Sequence, residues 1–201
     1  MAHVYRSTEE SNRILSKVAQ YVADYLASEG FTYTPPTEDG YQHKLVGPNE
    51  ATLYLRLEGN SNGDRIAVSG GFHIGKGRYG NSEFVRPKSG VPSDISVALA
   101  RGEKAIAKEI NHRYLPKYLF ALAEAVVQRD AEQLYTDKKM GNLRHLYNLT
   151  GANRTLDAGT RAYLQVGEVY GHIETSDNFA TLELRCLTIQ QAEAVIKLLK
   201  K

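Results

Sequence analysis

The sequence predicts an α+β protein, built mainly from antiparallel sheet with an N-terminal helix, a long Pro-kinked central helical region and a C-terminal ββα unit. Three observations carry this prediction. Apolar residues recur at helical spacing near the N-terminus and again in the middle of the chain. Runs with strand-like alternation are grouped between those helices and do not alternate with them one by one. No internal repeat or linker divides the 201 residues. We therefore expect one domain, 1–201, with lobes 1–100 and 101–201 sharing one core as a subdivision.

The first predicted element is an amphipathic helix over about 8–29. Apolar residues recur at intervals of three and four from Ile14 to Leu26. Hydroxyl and carboxylate side chains at 7–10 supply an N-cap and the acidic first turn that suits a helix dipole. Gly30 supplies the C-cap.

Short β-prone runs follow the helix. They cover 31–34, 41–46, 52–57 and 65–69. The turn-forming residues 60–64 predict that the last two runs form a hairpin. Residues 70–92 contain six glycines and lack apolar periodicity, which indicates either a long exposed loop or a loose hairpin through 72–74. Residues 95–99 fit a further strand or a short capped helix.

Helical spacing returns from Glu103 to about Tyr135. Pro116 interrupts this stretch, so we expect a kink or two helices meeting near 114–115. Residues 143–149 predict a short helical turn. The runs 161–167 and 179–186 alternate as strands, and Thr188 and Gln191 have the spacing of a capping box that opens a last helix to Leu199.

Composition narrows the class of protein. Hydrophobic residues make up 42% and charged residues 24% of the chain, which is ordinary usage for a folded protein. Cys186 is the sole cysteine, which excludes an internal disulfide and a cysteine-based zinc site. In an alternating strand its thiol is expected to be buried. Without a secretory h-region near the N-terminus or an apolar run of membrane-spanning length, we expect a cytoplasmic protein with no membrane partner.

Charge is unevenly distributed along the chain although the net charge is only +2. Residues 1–58 hold five basic and eight acidic side chains, for a local −3. Residues 65–118 hold ten basic and four acidic side chains, for +6, and residues 136–161 hold five and two, for +3. Such an asymmetry is an argument about partners and indicates an anionic one.

The glycine-rich segment 70–92 has two readings. Gly75–Gly80 matches the dinucleotide pattern GxGxxG, but no helix start follows it and Pro87 comes soon after, so a cofactor site is not favoured. The segment also interleaves cations with rings, which suits phosphates and bases. A solvated surface loop is the alternative, as is a loop that binds protein or a small anion. The basic residues 101–117 then form either a solvated helix face or a basic helix flanking the same groove.

A second basic cluster follows the predicted helix, around 138–154. Its cations, ring and amide side chains suit a sugar–phosphate backbone. Stabilisation of a helix C-terminus explains the two adjacent lysines equally well. If the two segments fold side by side, they form one continuous positive surface.

Catalytic motifs are weak. The six histidines stand singly, without HxH, HxxxH or HExxH spacing, so a composite site from His73, His145 and His172 is the remaining metal candidate. No GxSxG elbow is present. Glu168, Glu174 and Asp177 lie in a hairpin, where exposed carboxylates are common. We therefore favour a protein that is not an enzyme, with a hydrolase or transferase of dispersed site as the third alternative, and we expect neither cofactor nor metal.

The sequence leads to a hypothesis of nucleic-acid binding, single-stranded or structured, through two basic, aromatic-bearing loops. The alternative is a protein-interaction module, such as an inhibitor or assembly factor of a phage or mobile element, that docks through the same loops; a homo-oligomer is compatible with either. The predicted binding residues are Lys76, Arg78, Tyr79, Phe84, Arg86, Lys88, Lys138, Lys139, Arg144, Tyr147 and Arg154.

Overall fold

A computed structural model of the chain describes residues 8–36, 42–60, 63–76, 82–149, 161–176 and 178–199. The chain divides into two compact units, Met1–Arg129 (unit 1) and Asp130–Lys201 (unit 2), and the division falls inside the long central helix. The lobes 1–100 and 101–201 stay a prediction. The predicted α+β class, with antiparallel sheets, is confirmed. The grouping of all 201 residues into one domain stays a prediction.

Unit 1 joins helices to a five-stranded antiparallel sheet. Its elements in chain order are α1 (Thr8–Tyr25), β1 (Thr32–Thr34), β2 (His43–Val46), β3 (Thr52–Asn60), β4 (Gly63–Gly70), β5 (His73–Lys76), β6 (Ser82–Phe84), β7 (Ile95–Ala98), α2 (Glu103–Glu109) and α3 (Leu115–Leu149), of which unit 1 holds the part before Asp130.

The sheet runs in the order β1-β2-β3-β4-β7, while β5 and β6 form a separate two-stranded hairpin. In the register, Leu53 and Leu55 face Gly70 and Val68, so one face of the sheet is apolar. The apolar side of α1 and the buried residues of α2 join that face in one core. The strand reading of 95–99 and the hairpin reading of 70–92 are the ones observed.

The predicted interruption of the central helical region takes the form of a π-helical turn, Ile110–Tyr114, between α2 and α3. Pro116 has no amide hydrogen to donate to the preceding turn, and a widened turn accommodates that loss without ending the helix. Both Ile110 and Tyr114 stay buried. The interruption therefore leaves the core continuous.

A buried histidine forms the polar centre of the α1–sheet contact. His43 is fully buried, with its Nδ1 2.8 Å from the Tyr33 hydroxyl and its Nε2 3.4 Å from Asn12 Oδ1. The Tyr33 hydroxyl also lies 3.2 Å from Ser16 Oγ, and the Tyr33 and His43 rings stack with centroids 6.0 Å apart. Burial lowers the pKa of His43 from its ordinary value, so the imidazole is held neutral.

We expect this histidine to make the protein less stable in acid. The unfolded chain takes up a proton at the ordinary histidine pKa of about 6.5, whereas the folded chain resists it. The contribution of His43 is thus fully present above that pH and is lost as the pH falls below it. Urea unfolding at about pH 7.5 and about pH 5 should show a smaller pH dependence for His43→Gln than for the parent. The exposed His112 is the control, because His112→Gln should leave that dependence unchanged. An equal pH dependence in the parent and His43→Gln would contradict this.

Unit 2 places a three-stranded antiparallel sheet against the second half of α3. Its further elements are β8 (Arg161–Val166), β9 (Val169–Thr175), β10 (Ala180–Arg185) and α4 (Ile189–Leu199), with the sheet in the order β10-β9-β8. Leu143 of α3 packs with Ala162, Leu164 and Ile173 in its core. The predicted capping box is confirmed, since Thr188 N donates to Gln191 Oε1 at 2.8 Å and Gln191 N to Thr188 Oγ1 at 3.2 Å.

The structure differs in detail from what the sequence predicts for this part of the chain. The central helix continues to Leu149, because Met140, Leu143 and Leu146 sustain helical spacing and pack against the sheet. The second basic cluster is accordingly helical up to Leu149 and not a loop. The C-terminal unit has a third strand, β9, between the two that were predicted. Cys186 is exposed, because β10 ends at Arg185 and the next residue turns out of the strand with φ +62°.

Within the described residues, no helix combines the length and the apolar character that crossing a bilayer requires.

Candidate functional site

The β5–β6 hairpin of unit 1 carries part of the first basic segment on an aromatic base. Phe72 is buried just before β5, and its ring meets the Tyr118 ring edge-on at 5.5 Å. The Phe84 ring packs against the rings of Phe72 and His73, with centroids 6.2 Å and 5.5 Å away, yet Phe84 remains 46% exposed. Tyr118 thus anchors the hairpin to α3, while Phe84 and His73 present rings at the surface.

The segment after β6 alternates between buried and exposed side chains. Val85 is buried and its amide donates to the Phe72 carbonyl at 2.8 Å, and Pro87 is buried as well. Arg86 and Lys88 therefore project outward. The backbone then turns at Gly90, whose φ of +88° lies in the left-handed region that favours glycine. The two cations are held on a fixed backbone.

An open groove of about 450 Å³ lies between this segment and the start of α3. Its volume falls within the range of small-molecule sites, which is enough for a nucleobase. Phe120 is 63% exposed and Val91 46% exposed, so the groove offers uncovered apolar surface. The lining residues are Ser89, Gly90, Val91, Pro92, Pro116, Lys117, Phe120 and Ala121.

One hydrogen bond fastens the two walls of the groove. Ser89 N donates to Glu124 Oε2 at 2.9 Å, which ties the segment to α3. Hydrogen bonds from Ser89 and the nearby charge of Lys88 hold the pKa of the Glu124 carboxyl below its usual range. The wall is therefore pinned by an ionised carboxylate, and Lys117 contributes a cation from the opposite side.

The basic front of the central helical region is partly neutralised. The Glu109 carboxylate accepts hydrogen bonds from Arg101 Nη1 at 3.1 Å and from Arg113 Nη1 at 2.9 Å. These guanidinium groups hold the pKa of the Glu109 carboxyl below the usual range. These two arginines fit the solvated-face reading. Lys117 fits the alternative, a basic helix beside the groove, because it lines the groove.

The structure brings together a subset of the predicted binding residues. Phe84, Arg86 and Lys88 lie in unit 1 on the hairpin and the segment that leads to the groove. Lys76 ends β5 opposite Ser82, with only its backbone described. Arg78, Tyr79 and Arg154 lie outside the described residues.

The second basic cluster belongs to unit 2. Lys138 and Arg144 are exposed on α3, and Lys139 is half-buried, with its carbonyl accepting a hydrogen bond from Thr175 Oγ1 at 2.9 Å. Tyr147 lies on the same helix, with only its backbone described. Because the two clusters fall in different compact units, the proposed continuous positive surface stays a prediction.

The enzymatic candidates are distributed over both units, with His73 in unit 1 and His145 and His172 in unit 2. Among the residues that the structure describes, no group of three or more histidine, cysteine or carboxylate side chains could hold a metal ion. Glu174 is ion-paired with Arg161 on the sheet of unit 2, and His172 lies beside it. Asp177 lies outside the described residues.

Sequence reasoning missed the apolar half of the groove. Phe120 stands between Leu119 and Leu122, two residues of the predicted apolar stripe of α3, and no motif singles it out. Only packing shows that it faces outward. Lys117 was considered as part of the basic helix, and Val91 and Pro92 carried no motif.

The groove and its cations are the candidate site that the geometry offers. No protein-family model, no curated protein and no solved structure matches this chain.

Proposed function

We propose that this protein binds nucleic acid, with single strands favoured, through the groove of unit 1. The observation that carries the proposal is the exposed Phe120 ring beside Lys117, in a groove entered by the segment that bears Arg86 and Lys88. Single-stranded nucleic acid is held by aromatic rings that stack on bases and by cations that follow the phosphates.

Single strands are favoured over duplex because the ring lies in a groove. A base must leave its stack to reach a ring there, and this costs less free energy in a strand that is already unpaired than in a duplex. Phe84 and His73 on the adjacent hairpin offer further rings. Lys76, Arg78 and Tyr79 belong to the same proposal, as further cations for the phosphates and a further ring for a base.

The test is a fluorescence titration of the whole chain against single-stranded DNA, duplex DNA and RNA at two salt concentrations. Cations that contact phosphates release counterions, so the logarithm of the affinity should fall by about 0.7 per contact for each tenfold rise in salt on a single strand. Three to four contacts predict a slope of about −2 to −3. Absence of binding to all three probes at low salt would remove the proposal.

A second candidate function is a protein-interaction module, and a different observation favours it. The described part of α4 has no buried residue, and Ile189 and Leu199 are 80% and 82% exposed. Apolar side chains at that exposure are typical of a surface that a partner covers. Binding of such a partner would depend little on salt, whereas binding of nucleic acid weakens as the salt concentration rises. The salt dependence of the affinity therefore distinguishes the two functions. An inhibitor or assembly factor, of a phage or mobile element, remains the form this second candidate takes.

A further inference from the structure

The outward face of the unit 2 sheet carries an ordered set of rings and cations. Ala162, Leu164 and Ile173 are buried on the core side, so their neighbours in β8 and β9 point the other way. The register then gives three rows across the sheet on that outward side. The rows are Arg161–Glu174–Thr181, Tyr163–His172–Glu183 and Gln165–Tyr170–Arg185.

On this outward side, a diagonal line of side chains runs from Arg161 through the rings of Tyr163, His172 and Tyr170 to Arg185. We call these five residues the tyrosine face. Arg161 starts it on β8 and Arg185 ends it on β10, with 54% and 62% of their side chains exposed. Tyr163 and Tyr170 between them are 46% and 49% exposed, and the Tyr163 ring tilts against His172 at 6.5 Å. Neighbouring strands set diagonal positions about 7–8 Å apart, so two bases can stack without sharing a ring.

Two carboxylates lie on one side of the diagonal. Glu174 pairs with Arg161, Glu183 pairs with Arg185 at 2.6 Å, and His172 Nε2 lies 3.9 Å from the first and 3.6 Å from the second. The face is therefore close to neutral, unlike the groove of unit 1. A carboxylate has lone pairs left after pairing with one arginine and accepts from the amino group of cytosine.

We propose that the tyrosine face is a second nucleic-acid site, which stacks two bases of a single strand on Tyr163 and Tyr170 and meets the flanking phosphates with Arg161 and Arg185. The inference rests on the proposed function for its class of ligand but uses none of the groove residues. Because its arginines are already paired with carboxylates, stacking supplies most of the affinity there. Bases with an exocyclic amino group are preferred.

The test uses the whole chain and fluorescein-labelled oligocytidylate and oligouridylate of about twelve nucleotides. Tyr163→Leu and Tyr170→Leu remove a ring and keep an apolar side chain, while Tyr163→Phe and Tyr170→Phe keep the ring. Each leucine variant should weaken oligocytidylate binding by about fivefold to a hundredfold with an unchanged salt slope, and each phenylalanine variant should bind like the parent. Circular dichroism is the control that each variant is folded.

Phe120→Leu is measured in parallel, so that the two sites are tested separately. Loss of affinity in Phe120→Leu with none in the tyrosine variants overturns the tyrosine face and leaves the groove proposal standing. Loss in the tyrosine variants with none in Phe120→Leu supports the tyrosine face and removes the groove. Tighter binding of oligouridylate than of oligocytidylate overturns the role given to Glu174 and Glu183.

Discussion

Replacing Phe120 with leucine should weaken the binding of single-stranded nucleic acid by about fivefold to a hundredfold. The side chain is 63% exposed, so little packing is lost with the ring, whereas the stacking surface in the groove disappears. Phe120→Tyr keeps the ring and should bind like the parent. The measurement is the dissociation constant of a labelled single strand at fixed salt. Equal affinities for the leucine variant and the parent would show that no base stacks on Phe120.

Replacing the cations around the groove should change how steeply the affinity falls with salt and should leave base stacking unchanged. Arg86→Gln, Lys88→Gln and Lys117→Gln each remove one phosphate contact, so each should make the slope about 0.7 shallower. Lys17 is a matched control, because it is 77% exposed, belongs to the same unit and pairs with Glu103, and neither residue lines the groove. If Lys17→Gln lowers the slope as much as these variants do, binding depends on overall charge and not on this site.

Local patterns predicted the fold where a signal lies within a few residues. The helix at 8–29 is observed as α1 and a short 3₁₀ turn, with Gly30 in the left-handed conformation at its end. The β3–β4 hairpin and the Thr188 capping box are also local signals. Strand β9 escaped notice because His172 and Glu174 face outward and Gly171 faces the core, which leaves Ile173 as its one large buried side chain. Its pairing with both neighbours makes it a strand, and pairing is not local.

The site was less predictable than the fold because exposure depends on packing. Arg86 and Lys88 read correctly as exposed cations, since charged residues rarely lie inside. Cys186 was predicted to be a buried thiol from its neighbours in an alternating strand, and no sequence signal singled out Phe120; both side chains are exposed. When the apolar stripe of a helix is wider than the surface that packs against it, the residues at the edge of the stripe stay exposed. The elements that form that surface lie far away in the sequence, so local patterns do not show its width.

One side chain connects the three elements that carry the groove and the hairpin. The Tyr118 hydroxyl accepts from the Thr52 amide at 2.8 Å and donates to the Gly71 carbonyl at 3.0 Å. Its ring packs on Phe72, and a methyl group added at Gly70 would overlap it. Burial raises the pKa of Tyr118 to about 12, so the hydroxyl keeps its proton for the Gly71 bond at any physiological pH. Tyr118 therefore fixes the start of β3 and the approach to β5 against α3.

Tyr118→Phe should lower the free energy of unfolding by about 1–3 kcal/mol, because a buried amide and a buried carbonyl each lose their partner. Tyr114 is a matched comparison one helical turn away: its ring stacks on Tyr118 with centroids 6.0 Å apart, and its buried hydroxyl lies near the Gly70 backbone but makes no hydrogen bond of ordinary geometry in the described part of the chain. Tyr114→Phe should therefore change stability by less than about 0.5 kcal/mol. Urea midpoints at constant slope measure both. Equal losses in the two variants would mean that the Thr52 and Gly71 bonds do not hold this frame, and the groove would then need another support.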